Sequence, residues 1–266
     1  MLCDFHLHTE FSGDSETPVR DQAERAAALG MNEICITDHH DYDALEGGDT
    51  FLLDFASYFP ALRQVREEYA GTIRIHTGVE LGLQLHIRDY LMKLAPSLPV
   101  DFIIGSSHFI DGKDPYFPSF FHQQTEQEAY TRYFAATLDR VRSLDCFDVL
   151  GHLDYIVRYG PHQNREYSYS AYREYIDPIL KALIEKGKGL ECNTGGFKAG
   201  LGHPHPAEDI LIRYRELGGE ILTVGSDAHT PAYVGHEFRR LPQLLQACGF
   251  RYYTVFRQRK PVFVPL

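Results

Sequence analysis

Short apolar runs recur along the chain and alternate with stretches whose apolar residues return every three to four positions. The short runs are 2–5 (LCDF), 33–37 (EICIT), 72–80 (TIRIHTGVE), 101–108 (DFIIGSSH), 147–152 (FDVLGH), 189–193 (GLECN) and 220–227 (EILTVGSD), and they predict strands. The helical pattern fits 18–30, 57–71, 125–144, 170–187, 206–219 and 238–249, and 252–256 (YYTVF) reads as an added edge strand. Thr17 as N-cap, Pro18 at the first helical position and Gly30 as stop frame the first helix. Thr125 and Glu128 make a capping box, and Pro178 predicts a bend in the helix around it. Strand–helix alternation with continuously apolar strands means a parallel sheet covered by helices. About seven such units in 266 residues predict an α/β barrel, irregular in places, as a single domain over 1–266. The common nucleotide-binding sheets lose weight, because no G-x-G-x-x-G follows the first strand and no P-loop occurs.

Composition narrows the chemistry. A net charge of −11 disfavours nucleic acid as the main partner, since phosphate backbones need a basic face. A small anionic substrate stays open if metals supply local positive charge. Five cysteines, an odd number without C-x-x-C spacing, read as buried reduced thiols of a cytoplasmic protein. No segment reads as a signal peptide, and no apolar run approaches the roughly 18 residues of a membrane span. Fourteen histidines against no tryptophan hint at metal work, and position has to decide.

In a parallel barrel the active site lies at the C-terminal strand ends. Those ends deliver His6 and His8, then His39, Glu80, His108, His152, Asn193, and Asp227 with His229. Alternate residues of a strand point the same way, so His6 and His8 converge on one point. Imidazoles and carboxylates without cysteine suit zinc, manganese or iron and argue against a structural thiolate site. Asp14, after a glycine, is a turn residue by default and completes a set of nine candidate ligands. Nine are too many for one ion and imply two or three divalent ions, with Glu80 deep enough to bridge a pair through its two oxygens. Each position also has an ordinary alternative. Glu80 can be an ion-pair partner, His108 and His152 satisfied core histidines, and Asp227 a helix cap. The other eight histidines, including His76, His40, His203 and His205, read as structural.

HLHTEFSGD, ITDHH, GVE, SSH, GHLDY and GSDAH, in this order between residues 6 and 229, resemble the PHP (polymerase and histidinol phosphatase) family. FDVLGHLDYIVRYGP is most similar to the stand-alone histidinol-phosphate phosphatases of that family. The resemblance implies a distorted (β/α)7 barrel of TIM-like type with a trinuclear centre. His6, His8, Glu80 and Asp227 would hold the first metal, Glu80, His108 and His152 the second, and Asp14, His39 and His229 the third. Some relatives carry histidine where Asp14 stands. Arg158 is the first candidate for binding phosphate and Lys198 the second, the latter a point charge rather than a fork.

The implied reaction is hydrolysis of a small phosphomonoester such as L-histidinol phosphate, by hydroxide held between metals. His229 or Asp154 would protonate the leaving alkoxide or orient a water that does. The tyrosine- and aspartate-rich stretch 154–169 would receive the cationic leaving group. The competing readings are another small phosphoester, such as a nucleotide or phosphotyrosine, an amidohydrolase, and a metal-stabilised interaction module. The amidohydrolase pattern usually has a lysine at the fourth strand end, where this chain has His108.

Overall fold

The computed structural model of the chain describes residues 3–44, 48–165 and 167–266, so Leu2 of the first predicted strand lies outside the described residues. Seven strands form one parallel sheet in the order β1 (Asp4–Leu7), β2 (Glu33–Ile36), β4 (Arg74–Gly82), β5 (Phe102–Ser106), β6 (Val149–Leu150), β7 (Gly189–Asn193) and β8 (Leu222–Gly225). A further two-residue strand, β3 (His39–His40), pairs with β4 in a register that sets His39 opposite Glu80. The sheet closes on itself where Leu7 bridges Ala228 and the His8 N–H donates to the Ala228 carbonyl at 3.0 Å. The result is the distorted seven-stranded barrel that the sequence pattern predicts. Every residue of β1, β2 and β5 is buried, as expected for strands covered on both faces.

The covering helices are α1 (Val19–Ala28), α2 (Phe55–Glu68), α3 (Arg88–Leu94), α4 (Glu126–Ser143), α5 (Tyr169–Glu185), α6 (Gly195–Lys198), α7 (Glu208–Glu216) and α8 (Leu241–Ala247). The Thr125 capping box forms as predicted. Thr17 does not cap α1. Its hydroxyl donates to the His229 carbonyl at 2.8 Å and ties the helix to the β8 loop. The irregularity in α5 sits at Tyr172 (φ −121°, ψ 16°), not at Pro178. Tyr172 is buried against Phe134 and Tyr130 of α4, and that packing holds the backbone off the helical value.

The predicted edge strand is not an edge of the barrel. β9 (Tyr252–Arg257) pairs antiparallel with β10 (Lys260–Pro265), and this hairpin packs under the N-terminal strand ends. Phe256 stacks on Phe102 at 4.9 Å, Arg257 pairs with Glu33 at 2.9 Å, and Arg259 pairs with Asp148 at 2.6 Å. The opposite, C-terminal ends are left to the connecting loops. All five cysteines are buried and unpaired.

His76 lies at this closed end, four residues before Glu80 on the same face of β4. Its Nε2 donates to Glu33 at 2.7 Å, and its Nδ1 stands 3.4 Å from Asp101. Burial favours the neutral ring, but the bonds to Asp101 and Glu33 outweigh it and raise the pKa above 6.5. The His76 bond, aided by Arg257, holds Glu33 down at about 2. The raised histidine stabilises the fold fully below pH 6.5 and less as pH climbs through its folded value. The depressed Glu33 stabilises it fully above pH 4.5 and less as pH falls toward about 2. His76→Gln should therefore cost most between these limits, about 1 kcal/mol after screening at the rim. Urea midpoints across pH check this, and a pH-independent loss would contradict it.

Candidate active site at the C-terminal rim

Glu80 ends the long strand β4 with no exposed surface, and five imidazoles surround its carboxylate. Oε2 stands 3.2 Å from His6 Nε2, 3.5 Å from His8 Nε2 and 2.9 Å from His39 Nδ1. Oε1 stands 3.2 Å from His108 Nε2 and 2.9 Å from His152 Nε2, and accepts from Ser106 Oγ at 2.6 Å. Asp227 Oδ1 lies 3.4 Å from His8 Nε2 and 3.8 Å from His6 Nε2. Asp14 Oδ2 lies 2.9 Å from His229 Nε2 and 3.8 Å from His39 Nε2. All nine candidate ligands thus meet in one place, Asp14 being the most exposed. Donor atoms within 4.8 Å of one another group as His6, His8 and Glu80, as Glu80, His108 and His152, and as His8, His39 and His229. A fourth grouping, of His39, Asp41 and His108, brings in a carboxylate the sequence reading did not name.

The outer nitrogens show what the inner ones are for. His6 Nδ1 donates to Glu191 at 2.6 Å, His108 Nδ1 to Asp41 at 3.0 Å and His229 Nδ1 to the Asp227 carbonyl at 3.0 Å. Ser12 Oγ spends its proton on Asp38 at 2.7 Å, so it accepts from His8 Nδ1 at 3.0 Å. Each of these outer nitrogens has its own acceptor, so a neutral ring keeps its proton there and frees the inner Nε2 to offer a lone pair to a cation. His6 Nε2, His8 Nε2 and Glu80 Oε2 are buried without a hydrogen-bond partner. Lone pairs crowded onto one carboxylate repel unless positive charge lies among them, and this donor set fits divalent cations.

Titration points the same way. Burial pushes the His6 and His108 pKa values down, but carboxylates overrule it: Glu191, Glu80 and Asp227 for His6, Asp41 and Glu80 for His108. His39, desolvated but beside Glu80 and Asp14, rises to about 9. Burial works against the charge of Glu80 and Asp227, yet the imidazoles hold both well below the usual carboxylate range.

The backbone is shaped to this cluster. A Cβ on Gly225 would sit 2.3 Å from His6 Cβ and 2.5 Å from Glu191 Oε1, so only glycine lets β8 approach β1 here. Asp227 holds φ at 56°, a region tolerated by aspartate, and its N–H donates to the His6 carbonyl rather than capping a helix. Asp4 accepts from Ser226 and Gly235 and anchors that turn.

Asp14, His39, His108, His152, Asp227 and His229 line a cavity of about 550 Å³, and the fully buried His6, His8 and Glu80 lie behind them. Arg158 and Lys198 both reach it. The Arg158 guanidinium lies 3.2 Å from Asp227 Oδ2 and 5.0 Å from the Tyr155 ring centre. Lys198, exposed, sits over the Tyr233 ring at 4.4 Å. Of the stretch 154–169, in which Glu166 lies outside the described residues, Tyr155, Arg158 and Tyr159 line the cavity. Asp154 does not. It is fully buried, and its oxygens accept from His205, Tyr167 and Ala207, so the structure removes it as a proton donor to substrate. His229 Nδ1 donates to a backbone carbonyl, and its Nε2 faces Asp14 Oδ2 at 2.9 Å.

Sequence reasoning passed over Asp4, Asp38, Asp41 and Glu191, although LCDF, ITDHHD and GLECN placed them beside the candidate ligands or strand ends. It also missed the outer wall built by Phe109, Asp114, Tyr116 and Phe117. Those four belong to a loop without periodic pattern, where the sequence carries no signal of direction.

A family model described as the PHP domain matches residues 4–195. A curated relative from Lactococcus lactis, named histidinol-phosphatase, is 33% identical over 97% of this chain and 95% of its own. One from Clostridium acetobutylicum, named "Probable histidinol-phosphatase", is 29% identical over 94% and 95%. The crystal structure of the Lactococcus lactis histidinol phosphate phosphatase, complexed with zinc, L-histidinol and phosphate, superposes with a TM-score of 0.91 at 33% identity, covering 98% of both chains.

At pH 7 the raised histidines carry protons that an incoming cation must expel. Apparent zinc affinity should therefore rise with pH from neutrality through the His39 value of about 9. Calorimetry in buffers of different ionisation enthalpy should show net proton release, and zinc at about 100-fold over its Kd should add about 2.7 kcal/mol of stability per site. Glu80→Gln should remove both effects. Unchanged zinc uptake by that variant would contradict the assignment.

Proposed function

The chain belongs to the PHP domain family, and we propose that it is a histidinol-phosphatase, hydrolysing L-histidinol phosphate to L-histidinol and phosphate. The observation that carries this reading is one juxtaposition. Five imidazoles surround the buried Glu80 carboxylate, and three of them, His39, His108 and His152, line the same cavity as the Arg158 guanidinium. The relatives of nearly equal length and the superposable phosphatase that binds zinc, L-histidinol and phosphate support it.

His6, His8, Glu80 and Asp227 would hold one divalent ion, Glu80, His108 and His152 a second, and Asp14, His39 and His229 a third, the last including the exposed Asp14 carboxylate. Zinc, manganese and iron all suit these ligands. When bound, divalent ions acidify a water and neutralise charge on the phosphoryl oxygens. The chain's own residues do the rest. Arg158 adds fixed positive charge beside Asp227, where the phosphoryl oxygens gather charge in the transition state. Lys198 adds a weaker, mobile charge at the rim. Tyr155, Tyr159, Tyr116 and Phe117 exclude water and offer ring faces to the imidazole of the leaving group. Asp114 sets a carboxylate near its amine. Asp154 does not reach the cavity, and His229 as a metal ligand would have its Nε2 occupied, so the leaving alkoxide would take its proton from water in the cavity. The whole of 1–266 works as one barrel domain on a small molecule, in a reducing cytoplasm that suits five buried thiols.

Phosphate release from L-histidinol phosphate should exceed that from nucleotides and phosphotyrosine. Arg158→Ala should lower kcat/KM about 10²–10³-fold, and Arg158→Lys should recover little of it, because a lysine cannot make the planar fork. Lys198→Ala should cost less than about 10-fold, as expected for an exposed point charge. A faster rate on another ester would keep the chemistry and overturn the substrate.

A further inference from the structure

We propose that Asp154 and His205 form a buried relay that sets the orientation of Arg158 toward the substrate phosphoryl group. The proposal rests on the reading of Arg158 as the phosphate-binding cation. His205 is fully buried, and its Nδ1 lies 2.5 Å from Asp154 Oδ1. Asp154 Oδ2 already accepts from the Tyr167 hydroxyl at 2.8 Å and the Ala207 N–H at 3.1 Å. An ionised carboxylate only accepts, so His205 Nδ1 carries the ring proton and Nε2 is a lone pair. That lone pair accepts from Arg158 Nε at 3.3 Å. Burial lowers the His205 pKa to about 4, so the ring stays neutral and keeps its acceptor.

The geometry explains why a second anchor is needed. Asp227 meets Arg158 through one oxygen, Oδ2, at 3.3 and 3.2 Å from the two terminal nitrogens. A guanidinium held on a single oxygen can pivot about it. The bond from Nε to His205 adds a second fixed point, and the Tyr155 ring face supports the plane. The acceptor at Nε is neutral, so the arginine keeps its charge for the phosphoryl oxygens, which a carboxylate there would neutralise. Gly195 makes room, since a Cβ on it would lie 3.3 Å from the arginine's terminal nitrogen. The His205 backbone is paired both ways with Asn193 at 2.7 Å, so its position does not depend on its side chain.

Asp154 and His205 are thus positioning residues, and the tautomer gives a sharp test. Asp154→Asn is isosteric, but its amide can donate to Nδ1. His205 would then present Nε2–H to the arginine's own N–H, donor against donor. Asp154→Asn and His205→Leu should each lower kcat/KM for L-histidinol phosphate about 10–50-fold and weaken inhibition by inorganic phosphate to match, with bound zinc unchanged. His205→Gln, which restores an acceptor, should recover most of the loss. On an Arg158→Ala background either change should cost less than about 2-fold more, because residues acting as a unit are not additive. Fully additive losses, or a Gln variant no better than Leu, would mark a merely structural role and overturn the relay alone. If Arg158→Ala leaves kcat/KM unchanged, the phosphate role of Arg158 falls, and the relay falls with it.

Discussion

A carboxylate buried among five imidazole nitrogens is the constraint on which the rest depends. Glu80 accepts a hydrogen bond from the Ser106 hydroxyl, and five histidine rings crowd its two oxygens. Such a cluster is stable only with positive charge distributed through it, as protons or as metal ions. Protonated rings meet that need in part, and divalent cations meet it better, because one ion serves several lone pairs at once. The fold contributes by making every ring point inward. Glu191, Ser12, Asp41 and the Asp227 carbonyl each take the outward proton of one histidine. Ser12 and the Asp227 carbonyl are local to their rings, whereas Glu191 and Asp41 reach His6 and His108 only because the barrel closes.

The barrel separates its two ends by chemistry. His76 and Glu80 share one face of β4 and lie four residues apart. At the closed end, His76 meets Glu33 and Asp101 under a hairpin that supplies Arg257 and Arg259. Each of these charges faces an opposite charge, and the pairing serves stability. At the open end, imidazoles and carboxylates are gathered in excess of any pairing among themselves, and the loops leave a cavity above them. Arg158 joins the two tasks at that end. It offsets part of the negative charge of Asp227 and still faces the cavity.

Much of this was legible in the sequence because strand ends and ligand types coincide. The alternation of apolar runs and helical periods predicts the parallel barrel, and six of the seven strand runs end at or just before a candidate ligand. What was not legible falls into three physical kinds. The helix Arg88–Leu94 is a single short element between tight turns, too brief for a period to show. The hairpin 252–265 reads as an edge strand because its partner, KPVFVP, carries two prolines and does not look like a strand. Asp154 and His205 are 51 residues apart, and nothing in either local pattern announces that they meet. Directions of side chains in loops, as at Asp114 and Tyr116, follow from packing that only the closed fold defines.

The central claim is that Glu80 gathers divalent ions on both sides of its carboxylate. Anomalous diffraction from a crystal of the zinc-loaded protein, collected at the zinc edge, tests it most directly. The account predicts a peak between Glu80 and the His6–His8 pair, a second between Glu80 and the His108–His152 pair, and a weaker third beside Asp14 and His229. Zinc peaks confined to other histidines, such as His203 or His236, with none at Glu80, would contradict it.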